Sequence, residues 1–146
     1  MEIRFANKSE LTFVAKLSKQ FECEGCCNGI VADDEKYFES KIVAICKSND
    51  DIVGYVCGEV CVQQKNVSYS KQGDKYFELD EIYIVPNFRN KGIGKKLFEF
   101  FEDYAKQNCC QSIRLNAVSK NYKSLLKFYI EYMQMNFQSA YLIKPL

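Results

Sequence analysis

One stretch restricts the fold of this chain more than any other, the basic glycine-containing segment Arg89-Asn90-Lys91-Gly92-Ile93-Gly94. An apolar run over 82–85 enters it through Pro86, and an amphipathic run from Ile93 to Ala105 leaves it. This order predicts a strand, a loop and a helix. The first N–H groups of a helix have no intrahelical acceptor, and the helix dipole adds positive potential there. Glycine lets an anion approach the backbone, so the segment predicts an anion site whose usual ligand is phosphate.

Two common phosphate-binding loops do not fit this segment. A Walker A loop needs an earlier glycine and a Lys followed by Ser or Thr, whereas Gly94 is followed by two lysines. A dinucleotide-binding loop needs three spaced glycines, and only Gly92 and Gly94 are present. The pattern that remains is R-x-x-G-x-G after a strand.

The periodicity of the chain predicts a mixed α/β fold. Asn7 followed by Glu10 resembles a capping box that starts a first helix, which ends near Phe21. A hairpin follows, and Gly54 and Gly58 in its second strand suggest a bulge or a close backbone approach. Predicted strands cover 2–6, 41–47, 52–62, 76–85, 112–118 and 137–144; further helices cover 33–40 (with Asp33 as cap), 92–107 and 122–133. No linker or repeat divides the 146 residues, which predicts one domain, 1–146.

Composition excludes several functions. The chain has no histidine, which rules out Ser-His and Cys-His nucleophile schemes and leaves acid–base work to carboxylates, Tyr, Lys, Cys or water. The net charge is only +1, and the basic loop over 89–96 is too short for a nucleic-acid interface, so no nucleic-acid partner is expected. No apolar run is long enough to span a membrane and no signal peptide is evident, so a cytoplasmic protein without a membrane partner is expected.

The chain contains eight cysteines, and the segment Cys23-Glu24-Gly25-Cys26-Cys27 includes a CxxC pair. A zinc site needs a second close pair, and Cys109-Cys110 is only an adjacent doublet. We therefore expect reduced thiols, mostly buried, and no metal.

In its context the loop resembles the pyrophosphate loop of the GNAT superfamily, the Gcn5-related N-acetyltransferases. The order of elements matches over nearly the whole chain, as do Val53-Gly54-Tyr55 on the hairpin and Phe128-Tyr129 on the late helix. The resemblance implies a single-domain α/β (α+β) fold with a mixed, mostly antiparallel sheet. About four helices flank this sheet, and a central parallel strand pair splays apart. It also implies acetyl-CoA as co-substrate, with the thioester in the slot between the splayed strands.

The resemblance assigns two groups of residues to acetyl-CoA. Arg89 and the loop amides would bind the pyrophosphate, and the backbone of the preceding strand would pair with the pantetheine arm. An Asn at the start of the late helix completes the set, although this chain has one residue more than usual between Asn121 and Tyr129, which we expect at the loop–helix junction. The implied residues are Ile82, Tyr83, Ile84, Arg89, Asn90, Lys91, Gly92, Ile93, Gly94, Lys95 and Asn121.

Acetyl transfer to an amine needs a base, and the strand before the loop carries Glu78, Asp80 and Glu81. Side chains alternate on a strand, so Glu78, Asp80, Ile82 and Ile84 would share a face, with the two acids roughly 7 Å apart. Strand parity agrees with the family, in which a catalytic acid matches Glu78 in some members and Asp80 in others, and it disfavours Glu81. The same acids could instead bind a substrate cation. Tyr129 matches the family's general acid, and a core aromatic is the alternative.

The acceptor is the least determined part of the prediction. Residues 22–40 carry six acids and one lysine, which together with Glu78 and Asp80 suggests a cationic small-molecule amine. Phe21, Tyr37 and Phe38 could line the cleft or pack in the core. A non-catalytic acyl-CoA-binding sensor is the alternative function. An apolar final strand over 140–143 would suit a homodimer.

Overall fold

The computed structural model describes all residues from Met1 to Leu146. Its strands are β1 (Glu2–Phe5), β2 (Ile42–Ser48), β3 (Asp51–Val62), β4 (Lys75–Ile84) and β5 (Ser112–Arg114). Its α-helices are α1 (Leu11–Glu24), α2 (Glu35–Glu39), α3 (Ile93–Gln107) and α4 (Tyr122–Lys127), and α4 continues as a π-helical turn over Phe128–Tyr132. None of the helices combines the length and apolar composition needed to span a bilayer.

The five strands form one sheet in the order β1-β2-β3-β4-β5. The first four are antiparallel neighbours, and β4 and β5 form the parallel pair. That pairing covers only Tyr76 to Glu78 on β4, opposite Ser112 to Arg114. Beyond it the two strands separate. The predicted mixed, mostly antiparallel fold with a splayed parallel pair is confirmed, but the pair lies at the edge of the sheet rather than at its centre, because no strand follows β5.

Two hydrophobic clusters cover the two faces of the sheet. The first packs α3 on the sheet and includes the buried residues Phe77, Leu79, Leu97 and Phe101. The second packs α1 and α2 on the opposite face and is built from Leu11, Val14, Phe38, Val43, Ile45, Tyr55, Cys57 and Tyr83. Consecutive residues of β2 divide between the clusters, which is why its sequence is apolar throughout rather than alternating.

A bulge interrupts β4 at Asp80. Cys57 faces Glu81 and Gly58 faces Leu79, so Asp80 has no partner on β3. A bulge of this kind reverses the alternation of side chains along a strand. Ile82 consequently returns to the α3 face with Leu79, while Asp80 and Glu81 both lie on the α1–α2 side.

The predicted shared face of Glu78, Asp80, Ile82 and Ile84 is therefore wrong. Ile82 and Ile84 pack on the α3 cluster, and the acids lie on the other side of the sheet. Gly58 permits the bulge, because a Cβ there would lie 2.2 Å from the carbonyl oxygen of Glu78. The close approach predicted for the glycines of this strand is confirmed.

Several predicted boundaries move. The capping box of Asn7 and Glu10 is present, but α1 continues to Glu24, where left-handed Gly25 ends it. The cap of α2 is Asp34, not Asp33, since Asp34 Oδ1 accepts the N–H of Tyr37. The strand predicted over 112–118 ends at 114, because the following segment bonds to residues 26–28 instead.

The predicted final strand over 137–144 is wrong. Residues 133–146 form no helix or strand, and Tyr141 is 89% exposed. An apolar segment becomes a strand only where another strand supplies hydrogen-bond partners, and the three-residue β5 carries no strand beyond it.

Candidate active site

The glycine loop presents a row of free backbone donors. Asn90 and Gly92 adopt left-handed conformations, with φ of 59° and 76°. Between Asn90 and Lys95 no N–H donates to a backbone acceptor, and the first that does is Lys96 N, 3.1 Å from Gly92 O. The loop at the start of α3 thus has the free donors that an anion site requires.

The loop packs against the sheet through Ile93 and Gly94. Ile93 is buried in the α3 cluster, and a Cβ on Gly94 would lie 3.2 Å from Ile84 Cδ1. Residue size at position 94 is therefore limited by the strand that enters the loop. This contact fixes the distance between the end of β4 and the loop amides.

Arg89 turns away from the loop donors. Its Nε donates to Ile84 O at 2.8 Å, and its Nη2 contacts both carboxylate oxygens of Glu24, at 2.9 and 2.7 Å. Tyr83 lies beneath the guanidinium, and its hydroxyl donates to Glu24 Oε1 at 2.6 Å. Arg89 therefore ties the end of α1 to the end of β4, and its role is to hold the loop in position.

The edge of β4 beyond Glu78 is not paired by β5. Val85 N donates to Val53 O at 3.0 Å, and groups that point toward one neighbour alternate with groups that point away in an antiparallel pair. The peptide groups of Ile82 and Ile84 therefore face the open edge. Arg89 occupies Ile84 O, which leaves the N–H of Ile84 and both polar groups of Ile82 for an extended ligand.

Glu81 is the most perturbed acid near this edge. Its side chain is buried, with 6% exposure, and accepts the hydroxyl of Tyr55. Burial, and then the charge of Asp33, raises the pKa of Glu81 to about 7, while a hydrogen bond from Ser18 acts in the opposite direction. A carboxyl group that titrates near neutrality is suited to accept a proton.

Asp80, the neighbouring acid, is neutralised by a counter-ion. Lys41 Nζ lies 2.9 Å from Asp80 Oδ2, and the hydroxyl of Tyr37 donates to the same oxygen at 2.9 Å. Lys41 also pairs with Glu59. Burial alone would lower the pKa of Lys41, but the hydrogen bonds to Glu59 and Asp80 raise it overall. This cluster supplies a fixed cation inside the acidic region.

Glu78 lies at the point where β4 and β5 separate, opposite Arg114 in the parallel register. It is half-buried, and burial followed by the charge of Asp80 raises its pKa above the ordinary value. Two carboxyl groups with raised pKa values, Glu78 and Glu81, thus flank the ion-paired Asp80.

Tyr129 lies in the π-helical turn that follows α4. Met133 N donates to Phe128 O at 3.1 Å, a bond that spans five residues and defines the turn. The ring of Tyr129 is buried beside Phe98, with ring centroids 6.0 Å apart. Burial raises the pKa of Tyr129 to about 12, so its hydroxyl keeps its proton at neutral pH.

Comparison with known proteins identifies this arrangement. The model of the Acetyltransferase (GNAT) family matches residues 11–133. The chain belongs to this family. As a GNAT protein it is an N-acetyltransferase. The uncharacterized N-acetyltransferase YhfO of Bacillus subtilis (strain 168) is 24% identical over 132 residues, which cover 85% of this chain and 83% of the relative.

Solved structures share the fold of this GNAT protein. A tetramutant of the BH1408 protein from Bacillus halodurans matches with a TM-score of 0.80 and 20% identity, over all of both chains. An aminoglycoside N-acetyltransferase in complex with CoA matches with a TM-score of 0.70 and 17% identity, over 99% of this chain and 98% of that one. At these identities the likeness concerns the fold.

The residues that the sequence singled out lie in several parts of the structure. The loop 90–95 follows the open edge of β4 along the chain, and Glu78 lies where β4 and β5 separate. Asp80 contacts Tyr37 of α2, and Tyr129 packs beside Phe98 of α3. Asn121 directly precedes α4, is exposed, and makes no side-chain capping bond. Because α4 begins immediately after Asn121, every residue between Asn121 and Tyr129 is helical.

Sequence reasoning missed the groups that surround the acids. Lys41, Tyr37 and Tyr55 come from elements distant in sequence, and nothing in their spacing marks them as partners of β4. The signal for Glu81 was present: Gly58 in the paired strand indicated a bulge. A bulge placed in β4 reverses the alternation of its side chains, so this signal would have kept Glu81 among the candidate bases.

Proposed function

We propose that this GNAT protein transfers the acetyl group of acetyl-CoA directly to the primary amine of a cationic small molecule. One observation carries the proposal: the free donors of the loop 90–95 follow directly on the unpaired edge of β4, the strand that also carries Glu78 and Glu81. A long ligand with an anionic end suits such a surface, because charge binds at the helix start and an extended arm adds to the strand.

Two sets of backbone groups would bind two different parts of acetyl-CoA. The N–H groups of Asn90 to Lys95 hold the pyrophosphate, and the open peptide groups of Ile82 and Ile84 pair with the pantetheine arm. Arg89 acts indirectly in this scheme, since its guanidinium is bonded to Glu24 and Ile84 O. A backbone N–H of β4 near the bulge at Asp80 polarises the thioester carbonyl. It thereby stabilises the oxyanion that forms when the amine attacks.

Two groups move protons during the transfer. Glu81 accepts the proton of the ammonium, because burial raises its pKa to about 7. Glu78, whose pKa is also raised, is the second candidate base, whereas the carboxylate of Asp80 is already bound by Lys41 and Tyr37. Tyr129 donates a hydrogen bond or a proton to the departing thiolate, and the step needs no covalent enzyme intermediate.

The acidic surroundings support a cationic acceptor. Asp33, Glu78 and Glu81 lie on the acceptor side. Lys41 offsets Asp33, Arg114 and Lys41 offset Glu78, and no cation offsets Glu81. A relative in fold acts on aminoglycosides, which are polycationic. Polyamines and aminoglycosides are therefore the first acceptors to test.

The test is product mass after incubation with acetyl-CoA and a panel of amines, since eight cysteines would interfere with a thiol readout. We expect acetylated product from at least one polycation. Tyr129→Phe should lower the turnover while CoA affinity is kept, and exposed Tyr132→Phe, three residues away, is the matched control. Binding of acetyl-CoA without any product, and without an effect of Tyr129→Phe, would overturn the proposal.

A second pair of variants tests the loop. Gly92→Asp places a carboxylate in the loop and should abolish CoA binding, measured by calorimetry. Gly73→Asp is the control, because Gly73 also has a positive φ but lies in the loop between β3 and β4. Unchanged CoA affinity in Gly92→Asp would remove the assignment of the loop.

A further inference from the structure

A pair of adjacent thiols lies beside the proposed site. Cys26 and Cys27 follow the end of α1, are both partly buried, and place their sulfur atoms 3.9 Å apart. No other two of the eight cysteines are in such contact, and none forms a disulfide. The proposed acetyl transfer makes no use of this pair.

The backbone holds the pair in a fixed place. Gly25 turns the chain with a φ of 58°, and the segment then bonds across the molecule to residues 118–120. Asn28 N donates to Val118 O at 2.8 Å, and Lys120 N donates to Cys26 O at 2.9 Å. Cys27 forms an antiparallel bridge with Ser119. A ligand would therefore meet two sulfurs that are already positioned, which lowers the cost of binding.

The number of sulfurs limits the ligand. A structural zinc site needs four ligands, and no group of three metal-binding side chains exists in this structure. Two soft sulfur atoms instead match a centre that needs only two more bonds. An arsenic(III) atom that already carries one carbon substituent is such a centre.

We propose that Cys26 and Cys27 form a chelating site for a mono-organic arsenical of oxidation state III, with phenylarsine oxide as the probe. Two S–H bonds and the arsenic–oxygen bond break, two arsenic–sulfur bonds form, and one water molecule carries away both protons and the oxygen. No electrons are transferred. The second bond forms within the protein at a high effective concentration, which separates this pair from single thiols.

The surroundings of Cys27 make this chemistry selective. Burial, and then the neighbouring Cys26, raises the pKa of Cys27 to about 11. A protonated thiol reacts poorly with alkylating reagents, but the exchange with the arsenical consumes thiol protons. The chain contains a matched comparison, because Cys109-Cys110 is adjacent in sequence yet has no sulfur contact and a left-handed Cys109.

Occupation of this pair should stop acetyl transfer, an expectation that rests on the proposed function. Cys27 is within electrostatic range of both Glu81 and Tyr129. The bridge to Ser119 puts it on the segment that diverges from β4. A phenyl group bound there adds bulk near both the proposed base and the proposed acid.

The experiment is intact mass spectrometry of the reduced protein with one equivalent of phenylarsine oxide in excess glutathione. Wild type and the double variant Cys109→Ser/Cys110→Ser should keep one phenylarsenic group. Cys26→Ser and Cys27→Ser should each retain it at least about 100-fold less, because the chelate is lost. A circular dichroism spectrum confirms folding, and Cys26→Ala and Cys27→Ala provide second variants.

The outcomes are distinct. The chelate would be overturned if Cys26→Ser or Cys27→Ser retained the phenylarsenic group as the wild type does. It would also be overturned if the Cys109→Ser/Cys110→Ser variant lost this group. A chelate that forms while acetyl transfer continues would overturn the expected inhibition alone. An unmodified protein that acetylates no amine would instead contradict the proposed function, while the mass result would still decide the thiol site.

Discussion

Replacing Glu81 by Gln separates the stability of this acetyltransferase from its activity. The substitution keeps the size of the side chain and an oxygen that can accept the hydroxyl of Tyr55. It removes only the ability to carry a negative charge in a buried place. We therefore expect a variant that is more stable than the wild type at high pH and deficient in acetyl transfer.

The magnitude follows from the pKa. Folding raises the pKa of Glu81 from an ordinary 4.5 to about 7, and each tenfold change in a protonation equilibrium is worth about 1.4 kcal/mol. The folded state binds the proton more tightly, so the wild type loses stability as pH rises from 4.5 through 7. Relative to the wild type, Glu81→Gln should gain about 3 kcal/mol across this range and no more above it.

The assay is urea unfolding of both proteins at several pH values from 5 to 8, with the free energy of unfolding extrapolated to zero urea. Glu99→Gln, on the exposed face of α3, is the control for removing a surface carboxylate. The same preparations are tested for acetyl transfer. In the wild type, activity should rise with pH through about 7, because Glu81 must be ionised to accept a proton.

A stability difference between Glu81→Gln and wild type that does not change with pH would refute the argument from burial. The stability difference between the two proteins could change with pH as expected while Glu81→Gln keeps the wild-type activity and its dependence on pH. In that case Glu81 is a buried acid without a catalytic role. Glu78→Gln would then be the variant that loses activity.

Three further predictions concern the framework. Gly58→Ala should destabilise the protein by about 3 kcal/mol in urea unfolding, since its Cβ would lie 2.2 Å from a β4 carbonyl oxygen; Gly73→Ala, with open space around it, should cost only about 1 kcal/mol. Lys41→Met should lower the free energy of unfolding by about 2 kcal/mol, because it leaves the partly buried carboxylate of Asp80 without its counter-ion. A variant as stable as the wild type would contradict this ion pair. A double-mutant cycle of Glu24→Ala and Arg89→Ala should give a coupling energy of about 1 kcal/mol in urea unfolding, reduced by solvent exposure; independent effects would contradict the contact.

Sequence alone predicted the features that depend on local pattern. The loop amides follow from glycines at a helix start, and the hairpin follows from two apolar runs around a polar turn. The capping box at Asn7 was likewise readable, because both partners lie within one helical turn. These features need no information from the rest of the chain.

The features that failed depend on partners distant in sequence. Alternation along β4 was correct up to Asp80 and wrong beyond it, because the bulge is a property of the pair β3–β4 rather than of β4. The final strand failed for a similar reason, since a strand requires a neighbour. Lys41 and Asp80 come together only in the folded chain. Counting acids along the sequence therefore overestimated the negative charge around Asp80.

The contact between Glu24 and Arg89 has a consequence for motion. The last turn of α1 carries Glu22 and Glu24 at the negative end of the helix dipole, where acids are unfavourable. Lys19 pairs with Glu22, and Arg89, 65 residues after Glu24, pairs with Glu24. The order of this turn therefore depends on Arg89, and its amide hydrogens should exchange more slowly once an anion orders the loop beside Arg89. Through this turn, an anion bound at the loop would change the order of α1.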